Sequence, residues 1–191
     1  PIAEEITIET LNYDESLAQT EHKRAGKDKS VIAEAAFRYK NLFVRTDLFV
    51  EENDVINIYE VKAKSWDNST EFLKRKITKA KVETIKIDST WSPYLYDIAF
   101  QKYVVALSNP GKKVRAHIVL ADKTKKASIN GLNQLFQIDK DDDGRIKINV
   151  DPSLTTASLG QIPLKIINVD DVCDWIYTNP VKIDLAGDWM F

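Results

Sequence analysis

Three consecutive stretches of the chain, 30–39, 42–50 and 55–64, carry Val, Ile, Leu, Phe and Tyr at both odd and even positions. Strict alternation would mark a sheet with one wet face. Apolar side chains of both parities predict strands covered on both faces. Lys40-Asn41 and Glu51-Glu52-Asn53-Asp54 separate these runs with turn-forming residues, so the three strands read as an antiparallel meander. Residues 13–24 have helical composition and stop before Gly26, and 94–107 predicts a second helix closed by Asn109-Pro110-Gly111. A strand is expected at 113–121. The intervening 66–92 reads as an irregular, partly helical insertion with Phe72, Ile77, Val82 and Ile85 as its apolar stripe.

The turns fix a register. With Asn53-Asp54 as a two-residue loop, Asp47 stands directly opposite Glu60, and Lys62 shares the face of Glu60 with Arg45 as its cross-strand partner. With Lys40-Asn41 at the other tip, Glu34 falls opposite Asp47. Three acids in a row across three strands repel one another unless a cation binds or one of them stays protonated. A one-residue slip would send every one of these side chains to the other face, and Glu34 depends on both turns. On a solvated sheet the same pattern would be ordinary polar surface with weak ion pairs. Among Leu42, Phe43, Val44, Leu48, Phe49, Ile56, Ile58 and Tyr59 the charges need a reason. Two carboxylates beside a lysine can hold a divalent cation next to a positive charge, the combination that phosphodiester hydrolysis requires.

The order of an Asp strand, a Glu-x-Lys strand and a helix bearing Asp97 and Gln101 resembles the PD-(D/E)XK nuclease superfamily in its RecB-like branch. The segments Val31-Ile32-Ala33-Glu34-Ala35-Ala36-Phe37, Leu42-Phe43-Val44-Arg45-Thr46-Asp47, Tyr59-Glu60-Val61-Lys62 and Tyr96-Asp97-Ile98-Ala99-Phe100-Gln101-Lys102-Tyr103 are similar to the RecB-like domain of bacterial proteins of unknown function regarded as exonucleases. The resemblance covers 20–137. It implies a restriction-endonuclease-like α/β (α+β) core in the order α-β-β-β-α-β, with a central mixed sheet of about four to five strands flanked by helices. It implies Mg²⁺ or Mn²⁺ on Asp47, Glu60 and the Val61 carbonyl, with Glu34 as a further ligand. Lys62 would orient or activate the attacking water and stabilise developing charge, and Gln101 would position water or substrate. Members of the branch often carry a Tyr four residues after the Gln; Val105 holds that position here and the Tyr is at 103. Relatives often add a His or Glu from an upstream helix, for which Glu21 and His22 are the candidates. Asp97 lies on the Gln101 face, yet an acid near a helix start is also simply favoured by the helix dipole. The same holds in reverse for His22 near a helix end.

Composition limits how nucleic acid could bind. The chain has 191 residues, 43% hydrophobic and 29% charged, with a net charge of −2, so any DNA contact must be local. From Lys74 to Lys86 there are six cations and one acid. Lys74, Arg75, Lys76, Lys79 and Lys81 are therefore nucleic-acid-binding candidates, joined by Tyr103, and Trp66, Trp91, Tyr94 and Tyr96 are candidates for stacking on unpaired bases. The alternative for the basic run is the solvated exterior of a helix.

A single cysteine, Cys173, permits neither an internal disulfide nor an Fe–S cluster from this chain, which suits a reducing cytoplasm. No apolar run is long enough to span a membrane. The start at Pro1 and the lone Met190 suggest a piece of a larger protein whose other domains would be partners. The expected division is a nuclease core at 1–123 and an α/β extension at 124–191 packed on it, with strands around 135–138 and 146–150 and a helix at 170–178. Asp139 to Ile146 matches the first eight positions of an EF-hand loop, but Val150 stands where a bidentate Glu belongs. Flanked by strand-like runs, it reads as a β-hairpin with an Asp-Gly turn, not as a Ca²⁺ site.

Overall fold

The structure is a computed structural model that describes residues 6–77, 83–140, 146–150, 154–155 and 157–179. It has a mixed α/β core with a five-stranded sheet flanked by helices. Helix α1 (Tyr13–Arg24) is capped by Asn12, whose side chain accepts from the Glu15 N–H at 3.0 Å. Strands β1 (Lys29–Tyr39), β2 (Leu42–Glu52) and β3 (Val55–Trp66) form the expected antiparallel meander, turning at Lys40 and at Asn53. Both turn residues have positive φ, the conformation that short hairpin turns demand. Hairpin β4 (Leu73–Ile77) and β5 (Glu83–Ile87) follows, then helix α2 (Ser92–Ser108), with Pro93 in its first turn. Strand β6 (Lys113–Asp122) returns parallel to β3.

Two features depart from the sequence reading. Among its described residues, the 66–92 insertion is a strand hairpin and not a helix until α2 begins at Ser92. Leu73, Arg75 and Ile77 alternate with Lys74 and Lys76, and β-branched Thr84, Ile85 and Ile87 answer them across the hairpin, so period two wins over the helical propensity of lysine. The second departure lies in the C-terminal region. Strand β9 (Leu164–Asn168) joins the main sheet as its fifth strand, antiparallel to β6, and is too short and too interrupted by Lys165 and Asn168 to stand out in sequence. Strands β7 (Phe136–Lys140) and β8 (Ile146–Val150) pair as the expected hairpin, whose connecting loop lies outside the described residues.

The apolar core lies between the sheet and the helices. Helix α2 contributes Leu95, Ile98, Ala99, Val104 and Val105, and α3 (Asp170–Thr178) contributes Val172, Cys173 and Ile176 against them. Phe49, Ile56, Ile58, Ile118 and Leu120 complete it from the strands. Burial pushes the Cys173 thiol up to about 12, so this cysteine is a core residue and not a nucleophile. The α2 side chains that bury this stripe also set which way Asp97 and Gln101 face.

Candidate functional site

Strand β3 loses its ladder with β2 after Tyr59 and its regular register with β6 after Val61. Its ladder with β2 runs from Glu52↔Val55 to Leu48↔Tyr59, and the next step of that register sets Asp47 against Glu60. Instead of a backbone pair, the Asp47 carboxylate accepts the Val61 N–H at 2.7 Å. On the other side, β3 follows β6 as far as Val61↔Val119 and then shifts register before Ser65↔Ala121. Irregularities of this kind re-aim side chains, and here Glu60 stands at the edge where β2 has left while Lys62 falls within the β6 register shift.

Helix α2 completes the site. The Lys62 ammonium donates to Glu60 Oε1 and to Asp97 Oδ2, the latter at 3.1 Å. Gln101 Nε2 donates to Glu60 Oε2 at 2.7 Å and to Asp97 Oδ1 at 3.2 Å. This fixes the Gln101 amide orientation, because a flip would turn its carbonyl oxygen toward two carboxylates. The Gln101 Oε1 is then buried without a hydrogen-bond partner among the described residues. An orphaned buried acceptor costs on the order of 1–3 kcal/mol, which a donor or cation entering the site would relieve.

Charge is unbalanced here. Burial lifts the Glu60 carboxyl above its ordinary value, opposed by the hydrogen bonds from Lys62 and Gln101 and reinforced by the negative charges of Asp47 and Asp97. Burial also works against the Lys62 ammonium, but hydrogen bonds to Glu60 and Asp97 outweigh it and hold the group above an ordinary lysine. Lys62 is therefore cationic at neutral pH.

Glu34 follows the expected count but not the expected conformation. Ala33↔Leu48 and Ala35↔Thr46 bracket it, which keeps it across from Asp47, yet its φ of 61° takes it out of the ladder. For a non-glycine residue within a strand this is a strained backbone. Burial raises the Glu34 carboxyl, Arg45 lowers it, and Asp47 raises it again, so Glu34 and Asp47 share one field. Arg45 also donates to the carbonyls of Ile8 and Thr10, at 2.7 and 2.9 Å. It anchors the N-terminal segment and does not pair with Lys62 across the hairpin.

Other sequence candidates sit elsewhere. His22 is exposed in the last turn of α1 and joins none of these hydrogen bonds. Tyr103 packs with Tyr177 of α3 at 6.2 Å between centroids, on the α3 side of the helix and not beside Gln101. Val105, where the resembled branch has its Tyr, is fully buried core. In the basic hairpin, Lys74 pairs with Asp88, and Arg75 with Glu83 at 3.2 Å, so the patch is less positive than its sequence suggests. Lys76 is exposed, while Lys79 and Lys81 lie outside the described residues. Trp91 is a core residue. Sequence reading missed Lys64, which lies over both Trp91 and Tyr94, although its spacing from Glu60 and Lys62 was a usable signal.

Among the described residues, no three of His, Cys, Asp and Glu gather as a metal cage. Mg²⁺ does not need one, because it binds through one or two carboxylates and keeps several waters. Asp47 and Glu60 supply such a pair, and the orphaned Gln101 oxygen beside them fits a hydrated cation. No helix among the described residues is long and apolar enough to cross a membrane. Comparison of the chain with family models, curated proteins and solved structures found no match.

Proposed function

We propose that this chain is a metal-dependent, PD-(D/E)XK-type deoxyribonuclease of the RecB-like kind, an exonuclease of the cytoplasm that hydrolyses DNA phosphodiester bonds with Mg²⁺ or Mn²⁺. The observation that carries the proposal is the convergence of Asp47, Glu60, Lys62, Asp97 and Gln101 where β3 leaves β2, with the Gln101 acceptor buried and unsatisfied among the described residues. Asp47, Glu60 and the Val61 carbonyl would hold the cation. When bound, it supplies Lewis acidity and lowers the pKa of water.

The chain's own residues supply the rest. Lys62, held protonated by two carboxylates, stabilises the negative charge that develops on the phosphate as water attacks in line. Asp97 keeps the Lys62 ammonium shared between two acids, so it is not sequestered by Glu60 alone. Gln101 holds Glu60 in place from α2 and presents its free carbonyl oxygen to water or substrate.

One observation favours a second reading. Both Glu60 oxygens are already engaged, by Lys62 and by Gln101, an arrangement a silent nucleic-acid-binding module could keep without cutting. Incubation of linear and circular, single- and double-stranded DNA with Mg²⁺ or Mn²⁺ separates the two. The nuclease reading expects degradation of linear DNA that Lys62→Ala slows by about 100-fold or more. Equal rates for the two proteins overturn the chemistry, binding without cleavage selects the silent module, and cutting of circles overturns the exonuclease assignment.

A further inference from the structure

Lys64 is the second lysine after Glu60 and the one the proposed chemistry leaves unused. Its ammonium lies 4.6 Å from the Trp91 ring centroid and 4.7 Å from that of Tyr94, and it donates to the Thr90 carbonyl at 2.7 Å. Lys62 lies over the same Tyr94 ring at 5.4 Å, so both ammonium groups stand on one aromatic platform at the start of α2. Their environments differ. Lys62 is tied to Glu60 and Asp97, whereas Lys64 has no carboxylate within ion-pair reach among the described residues. An ammonium has three donors, and one is used. Two aromatic faces and a carbonyl orient a cation without neutralising it, which leaves a preorganised positive charge for an anion.

We propose that Lys64, set on Trp91 and Tyr94, is a binding residue for the nucleic-acid phosphate adjacent to the one that Lys62 faces. This rests on the nuclease reading of the Lys62 site. Lying 5.4 and 4.7 Å from the same Tyr94 centroid, the two ammonium groups are close enough together to meet neighbouring phosphates of one strand. Because Lys64 touches backbone and not bases, its contribution is independent of sequence and sensitive to salt. It sets strand placement while the groups around Glu60 do the chemistry.

The test measures binding of the whole chain to a fluorescein-labelled oligonucleotide of roughly 20 nucleotides, longer than a usual single-strand site, as single strand and as duplex. Ca²⁺ replaces Mg²⁺ to suppress cutting, and the dissociation constant is followed against salt. Lys64→Met keeps an apolar stem on the rings and removes the charge. It is expected to bind about tenfold more weakly, with the log–log salt slope reduced by about 0.7 for single strand or 0.9 for duplex. Lys64→Arg is expected to restore both. A Lys64→Met protein that matches wild type in affinity and slope overturns the proposal, whether or not its melting temperature falls, because Lys64 is then only a latch between β3 and α2. Wild type that binds but never cuts in Mn²⁺ overturns the nuclease reading alone, and the salt slope still decides on Lys64. Wild type that binds neither oligonucleotide overturns both.

Discussion

The β2–β3 hairpin buries two glutamates, Glu51 beside its turn and Glu60 farther along, and they are held in opposite ways. Glu51 has two cations to itself: Arg24 donates to it at 2.7 Å, and Lys112 pairs with its other oxygen. Burial raises the Glu51 carboxyl, but the hydrogen bonds from Arg24 and Lys112 prevail and leave it below its ordinary value. Glu60 has one cation and must share it with Asp97, while Asp47 adds a further negative charge. The first arrangement is internally satisfied and structural. The second is short of positive charge, and the proposed function assigns that deficit to an arriving cation. A cleft of about 710 Å³ opens beside Glu51, lined among others by Arg24, Lys27, Asp54 and Lys112, yet its size does not make it the reactive end. In the proposed function, unmatched charge and not concavity marks the reactive end.

The contrast breaks most readily at the two lysines. Lys62→Ala is expected to lower the Mn²⁺-dependent cleavage rate by about 100-fold or more, and Lys112→Ala to leave it at the wild-type level, both assayed below their melting temperatures. Comparable losses would mean that the two ends do not differ in role.

Stability should reverse the order. Glu51→Gln is expected to cost about 3 kcal/mol at pH 7 in urea unfolding, because it leaves Arg24 and Lys112 without their buried counter-charge. Glu60→Gln should stay within about 1 kcal/mol of wild type, since Lys62 keeps Asp97. Acidification sharpens this. The Glu51 carboxyl is lowered from 4.5, so its contribution is present above that value and fades as pH falls through the lowered one. The Glu60 carboxyl is raised from 4.5, so the fold holds its proton more tightly than the unfolded chain does. Its contribution is full below 4.5 and is lost as pH rises through the raised value. The Glu51→Gln deficit should therefore shrink toward low pH, and wild type should lose stability relative to Glu60→Gln as pH rises from 4.5. A smaller effect completes the series. Saturating Mn²⁺, at about 100 times its dissociation constant, should stabilise wild type by about 2.7 kcal/mol and Asp47→Asn by far less.

Much of this arrangement could be read before any coordinates. The Asn53-Asp54 turn set the Asp47 and Glu60 register because paired turn residues and a fixed period of two leave little freedom, while Gln101 came from the family resemblance, with helical spacing placing it on the face of Asp97. The backbone of Glu34 could not be read, since a left-handed glutamate has no sequence signature. Tyr103 and Arg45 misled because their partners, Tyr177 and the carbonyls of Ile8 and Thr10, are brought in by distant segments. The ion pairs of Lys74 and Arg75 were hidden because a run of cations says nothing of acids folded against it. Strand β9 was missed because its pattern is weak while its place beside β6 is set by the sheet.

A crystal soaked in Mn²⁺ and measured at the manganese absorption edge tests the central claim most directly. The account predicts an anomalous peak against the carboxylates of Asp47 and Glu60 and none against Glu51. No peak at Asp47 and Glu60, or a peak at Glu51 instead, would contradict it.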